Sequence, residues 1–173
     1  MKLASLASAF AAVLALSSAS AFAIDGTVNF TGEILDAACT VDIGTNNTMS
    51  VDLGKVVKTT FAATGDTAST TKFTIKLKDC PAAVTSAKVK FEGTPDATDS
   101  SLLGVTGTAT GVAIQLMTAD KTALGLHQVN NYSYPLTATV VNNLDFYAAY
   151  KSTDATVGAG TANAVSNFTV NYN

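Results

Sequence analysis

An all-β sandwich is the fold this sequence predicts, and three observations predict it. Short runs of apolar/polar alternation recur along the chain, turn residues punctuate them, and no helical period is sustained. Thr, Ala, Val, Asn and Gly are abundant and only 13% of residues are charged, a usage that favours strands and turns over helices.

The first segment stands apart from that sandwich. Met1 to Ala23 carries Lys2, an apolar run from Leu3 to Leu16 and small residues ending Ala21-Phe22-Ala23. This is the pattern of a cleavable export signal, with an apolar run too short to span a bilayer. The mature chain is expected to start at Ile24 and to hold 150 of the 173 residues, enough for one domain with a substantial core. Without Lys2, nine lysines face thirteen acids, a net charge of −4, and there is no arginine. That balance excludes a nucleic-acid-binding surface, which needs basic excess and guanidinium forks.

Ile24 to Ile34 alternates strictly, with Ile24, Gly26, Val28, Phe30, Gly32 and Ile34 on one face and Asp25, Thr27, Asn29, Thr31 and Glu33 on the other. Two glycines on the apolar face are unusual for a strand that packs at home, because each weakens packing and marks a close backbone approach, so the stretch reads either as an ordinary first strand of the sandwich or as a strand made to be inserted into another molecule. From Leu35 to Ile43 the apolar positions become odd-numbered, so a bend or bulge is expected after Ile34. Cys39 and Cys80 are the two cysteines; in an exported chain such a pair reads as a disulfide, the alternative being two separate buried thiols.

Met49 to Leu53 is expected to form a short strand stopped by Gly54, and Thr59 to Thr70 a loop. Phe73 to Leu77 and Val84 to Phe91 read as strands, the second with Lys88 and Lys90 opposite Val89 and Phe91. After a loop from Glu92 to Ser101, the largely apolar Val112–Met117 is expected to be central, and Asp120-Lys121 to turn the chain. Leu124 to Asn131 reads as loop plus a short edge strand. Tyr134 to Val141 and Leu144 to Tyr150 are expected to form a hairpin around Asn142-Asn143. Ser152 to Thr161 is a loop, and Ala162 to Tyr172 alternates again, with Phe168, Val170 and Tyr172 on one face.

The two ends bear on each other. An opening strand out of phase with its successor lacks a partner at home, and a final strand that runs to the last residue is expected to leave an unpaired edge. A spare strand and an open edge in one molecule predict head-to-tail exchange, a heterologous contact that builds filaments rather than closed rings.

At this point the residues resemble a known family, the fimbrial subunits (pilins) of the chaperone–usher pathway, of the type 1 major subunit type. Similar are Gly26 to Ile34 leading to Ala37-Ala38-Cys39, Val51-Asp52-Leu53-Gly54, Phe73-Thr74-Ile75-Lys76-Leu77-Lys78-Asp79-Cys80, Gly111 to Leu116 and Phe146 to Tyr150. Gly160, fourteenth from the end, and the penultimate Tyr172 match the family's C-terminal β-zipper. The resemblance implies an incomplete immunoglobulin-like β-sandwich lacking its final strand and completed in trans by a donor strand. It divides the chain into a signal peptide at 1–23, a donor-strand extension at 24–35 and a pilin domain at 36–173. It assigns Val28, Phe30, Gly32 and Ile34 to the donor strand, and Gly160, Phe168, Val170 and Tyr172 to the border of the acceptor groove. The partners it implies are other copies or sibling fimbrial subunits, a periplasmic chaperone and an outer-membrane usher. Export through the periplasm would end at the surface fimbria of a Gram-negative bacterium, where the subunit supports cell adhesion.

No enzyme is expected and no cofactor, metal or small-molecule substrate. His127 is the single histidine and falls in a polar loop, and Asp96 and Asp99 flank a turn with Pro95. With both cysteines bridged, neither a nucleophile–base pair nor a zinc set can be assembled. A minor, tip-adaptor or adhesive subunit of the same fold is the alternative function. A two-domain adhesin needs a further lectin domain, for which 150 residues leave no room.

Overall fold

The structure, a computed structural model, describes residues 26–32, 34 and 38–173. It divides into two units, Met1–Ile34 and Leu35–Asn173. The expected signal peptide lies outside the described residues, as do Ile24, Asp25, Glu33 and 35–37. No helix among the described residues is long and apolar enough to cross a membrane.

The second unit is a sandwich of two antiparallel sheets. The strands are β1 (Thr40–Asp42), β2 (Thr67–Lys78), β3 (Ser86–Gly93), β4 (Leu103–Gly104), β5 (Val112–Met117), β6 (Ala123–Leu124), β7 (Tyr134–Pro135), β8 (Asn142–Ser152) and β9 (Ser166–Tyr172). One sheet has the order β1-β2-β8-β5-β4, with β6 also on β5, and the other the order β7-β3-β9. The alternation read from sequence sets the faces. In β3, Ala87, Val89 and Phe91 are buried while Lys88 and Lys90 lie between them on the outer side. Val112–Met117 is internal, held by β8 on one side and by β4 and β6 on the other.

Aromatic rings fill the space between the sheets. Phe146 is fully buried, its ring centroid 5.5 Å from Phe73, 5.2 Å from Phe91 and 5.1 Å from Tyr134. Such offset and edge-on pairs contribute beyond their buried area. The Tyr134 hydroxyl donates to the Asp145 carbonyl at 2.6 Å, and burial pushes its pKa up. Cys39 and Cys80 form a disulfide that joins the residue before β1 to the turn after β2.

Met49 to Leu53 and the described part of the opening stretch, residues 26–32 and 34, both read from the sequence as strands, are not strands here. Met49 to Leu53 joins no ladder. The neighbouring part of β2 shifts register between Ala68 and Thr71, and Ser69 sits at φ 58°. The Ser69 and Thr71 hydroxyls instead donate to the Leu53 and Asp52 carbonyls, so side chains replace the ladder.

The expected hairpin around Asn142-Asn143 is also corrected. Only Tyr134–Pro135 is strand in that region, and it pairs with Ser86 and Ala87 in the opposite sheet. The chain then reverses near Thr139, at φ 63°, and Asn142 and Asn143 open β8 opposite Leu77 and Lys76. The pair read as a turn therefore begins a strand, and the Asn142 side chain is what holds the turn before it. Its Oδ1 accepts from the Thr137 amide at 2.8 Å, and its Nδ2 donates to the Thr137 and Val140 carbonyls at 2.9 and 3.1 Å. Asn142→Ala is expected to cost about 2 kcal/mol in a urea melt, from three lost bonds to a partly buried turn. An unchanged midpoint would show that the backbone holds this turn unaided.

Candidate functional site

The two sheets do not close on each other all the way round. β1 pairs only with β2, and β9 only with β3, so among the described residues each has one edge without a strand partner. Between these edges lies an open groove of about 780 Å³. Its walls include Val41 and Ile43 from the β1 side and Ala164, Ser166 and Phe168 from the β9 side. Its floor is core: Phe73, Ile75, Phe91, Ile114, Leu116 and Ala148. A sandwich core is ordinarily close-packed, so this groove leaves core side chains without the neighbours that would cover them.

The chemistry of the groove is narrow. Among the described residues no charged side chain lines it; its polar members are Asn, Thr and Ser. That lining offers apolar contact along its length. The two strand edges add rows of backbone donors and acceptors, which suits an extended peptide added as a strand. No group of His, Cys, Asp and Glu among the described residues is placed to hold a metal ion.

The residues picked from sequence fall into three places. Phe168 lines the groove, and Val170 and Tyr172 follow it on the same face of β9, half-buried against the core. Burial pushes the Tyr172 hydroxyl up, opposed by a hydrogen bond from the Cys39 backbone. Gly160 lies elsewhere, before β9, where a Cβ would come within 2.3 Å of the Ala109 amide nitrogen. There the 106–110 and 158–163 segments bond to each other, for instance through the Ala109 amide to the Thr161 carbonyl at 3.0 Å. Glycine is needed at 160 for that close approach, not for lining the groove.

In the first unit, Val28, Phe30 and Ile34 are 74%, 91% and 97% exposed. A Cβ built on Gly32 would meet nothing within 4 Å. Among the described residues, then, no packed neighbour demands a glycine there.

His127, Asp96 and Asp99 serve turns. His127 sits at φ 61° and its amide donates to the Phe91 carbonyl at 2.8 Å. Asp96 accepts from the amides of Thr98 and Asp99 at 3.0 and 3.1 Å. Asp99 accepts from the Ser101 hydroxyl at 2.6 Å, a bond that holds its carboxyl below the usual range. The floor residues Phe73, Ile75, Phe91, Ile114 and Leu116 were legible as core but not as groove. Alternation says which way a side chain faces, and not whether anything covers it.

Comparison with known proteins accords with this shape. The family model described as Fimbrial protein matches residues 28–173. The type-1 fimbrial protein A chain of Escherichia coli K12 is 37% identical over 183 aligned residues, covering 99% of this chain and all of that one. The long polar fimbria protein A of Salmonella typhimurium is 51% identical over 70 residues, a match spanning 39% of its length. Among solved structures, the Burkholderia pseudomallei antigen and type I fimbria protein is 37% identical, with a TM-score of 0.61 over 85% of this chain and 97% of that one. A chaperone–usher pilus structure bearing on rod uncoiling matches at 26% identity and TM-score 0.65, over 86% of this chain and 95% of that one. Matched along most of its length and sharing an immunoglobulin-like sandwich with these subunits, the chain belongs to the fimbrial protein family, as a structural subunit of a pilus.

Proposed function

We propose that this subunit polymerises head-to-tail by donor-strand exchange, the extension at 24–35 of one copy entering the groove between β1 and β9 of the next. The observation that carries the reading is an open groove which, among the described residues, is lined without charge and bounded by two free strand edges, in a chain that also bears an exposed alternating segment. Val28 to Ile34 extended spans about 20 Å at the usual rise per residue, the same seven-residue length as Ser166–Tyr172. Val28, Phe30 and Ile34 would fill the groove, with Phe168, Val170 and Tyr172 along its border. Until a neighbour arrives, a periplasmic chaperone covers the same edge, and an outer-membrane usher receives the complex. Fimbrial subunits are surface pilus components of Gram-negative bacteria, and this one reaches the surface through the periplasm.

Gly32 tests the reading. Its own chain leaves open space there, so the demand for glycine comes from the acceptor. Peptides spanning Ile24 to Leu35, with glycine or valine at position 32, are mixed with chaperone-bound subunit. The glycine peptide is expected to displace the chaperone faster and to give the more heat-resistant complex, because overpacking costs about 1–3 kcal/mol. Equal rates and equal stability would rule out this donor register.

A further inference from the structure

One end of the sandwich gathers the features from which the extension leaves. Thr40 opens β1 opposite Lys78, the last residue of β2, and Asn142 opens β8 opposite Leu77. Cys39 is bonded to Cys80, the Asn142 Nδ2 lies 3.6 Å from the Cys80 Sγ, and Tyr172 pairs with Ala87, which also pairs with Tyr134 in the strand leading to the Asn142-held turn. At this exit end the Asn142-held turn presents two adjacent exposed side chains, Val140 and Val141, 48% and 56% exposed. Across the sheet, Val141 is two strand spacings from Thr40, about 10 Å.

The other end of the groove also carries an apolar rim. Val165, 83% exposed, precedes the first residue of β9, and both it and the exposed Val51 line the groove. That rim lies about 20 Å along β9 from Tyr172.

A filament continues only if a donor enters each copy at the end away from where that copy's own extension leaves. Under the head-to-tail reading above, on which this step rests, the incoming Ile34 therefore lies at the Val165 end. Ile34 and Cys39 are five residues apart, a reach of at most about 18 Å. The exit end of the donating body is thus held against the groove mouth of the accepting one. We infer that the Val140-Val141 turn of each subunit packs on the Val165 and Val51 rim of the next copy, a body-to-body contact additional to the inserted strand. The turn suits this role because Asn142 fixes it before contact, so little ordering is lost on docking.

The test compares full-length polymers with peptide complementation. A free peptide of Ile24 to Leu35 has no body, so its binding reads the groove alone. Val140→Asp/Val141→Asp is expected to leave peptide binding unchanged while polymers dissociate roughly tenfold faster at fixed guanidinium. Val165→Lys alone should weaken polymers similarly. Combined with Val141→Asp in one chain, it should recover much of the loss, since each Asp then meets a Lys across the joint. Polymers of both variants that dissociate at the wild-type rate would overturn the contact, as would a combined variant no better than the two single ones. Loss of peptide binding in the wild type would instead refute donor-strand exchange itself.

Discussion

Deleting residues 24–34 is expected to abolish polymerisation and to leave a folded, disulfide-bonded sandwich. The described strands, the aromatic cluster and the Cys39–Cys80 bridge all lie in the unit that begins at Leu35, so the deletion takes none of them away. It does remove Val28, Phe30 and Ile34, each gaining about 1.5–3 kcal/mol when fully buried in an acceptor. It also removes the backbone groups that would pair the free edges of β1 and β9, each such bond contributing about 1 kcal/mol net. Among the described residues no other exposed alternating segment replaces that loss. Sedimentation and electron microscopy of the truncated chain, with added peptide of Ile24 to Leu35 as control, decide the matter. Single subunits that still accept the peptide are the expected result. Filaments of ordinary length would sink the donor assignment.

Cys39→Ser is expected to cost about 4 kcal/mol, the chain-entropy value for the separation of 41 residues between the two cysteines. For a domain whose total stability is typically about 5–15 kcal/mol, this is a large share. The loss should also be local. β1 is only three residues long and pairs with β2 alone, yet Val41 and the adjacent Ile43 supply one wall of the groove. Without the bridge to Cys80, little beyond that short ladder holds the wall in place. Urea unfolding of the oxidised and variant chains reads the stability. Peptide complementation, at a urea concentration where the variant remains folded, reads the groove. Both are expected to fall, whereas a variant with wild-type peptide affinity would show that the wall stands without the bridge.

Much of this was legible in the residues because one physical rule generated it. An extended chain sends side chains alternately to two faces, so the runs around Phe73, Val89, Ile114 and Phe146 declare themselves as strands with a buried side. The alternation of Val28 to Ile34 shows in the same way. The phase changes after Ile34, and Gly32 has no local reason to be glycine. Local rules also misled. Asn142-Asn143 has the composition of a turn, but the buried Asn142 side chain bonds back to Thr137 and Val140, so the reversal falls earlier. Met49 to Leu53 alternates like a strand, but β2 bulges beside it and offers no ladder.

What the sequence by itself determined is the fold class, the inward and outward faces of most strands, and an alternating segment, Val28 to Ile34, whose phase differs from the residues that follow. Only the tertiary structure decided where the sandwich stays open. Being uncovered is a relation between β1 and β9, more than a hundred residues apart in the chain. The same holds for Gly160, which reads as part of the terminal zipper but is demanded by the backbone at Thr108 and Ala109. It holds too for Val140, Val141 and Val165, unremarkable singly, which gain meaning only when strand register sets them at opposite ends of one groove. Period and composition are encoded residue by residue, whereas coverage depends on which distant edges the fold leaves without a neighbour.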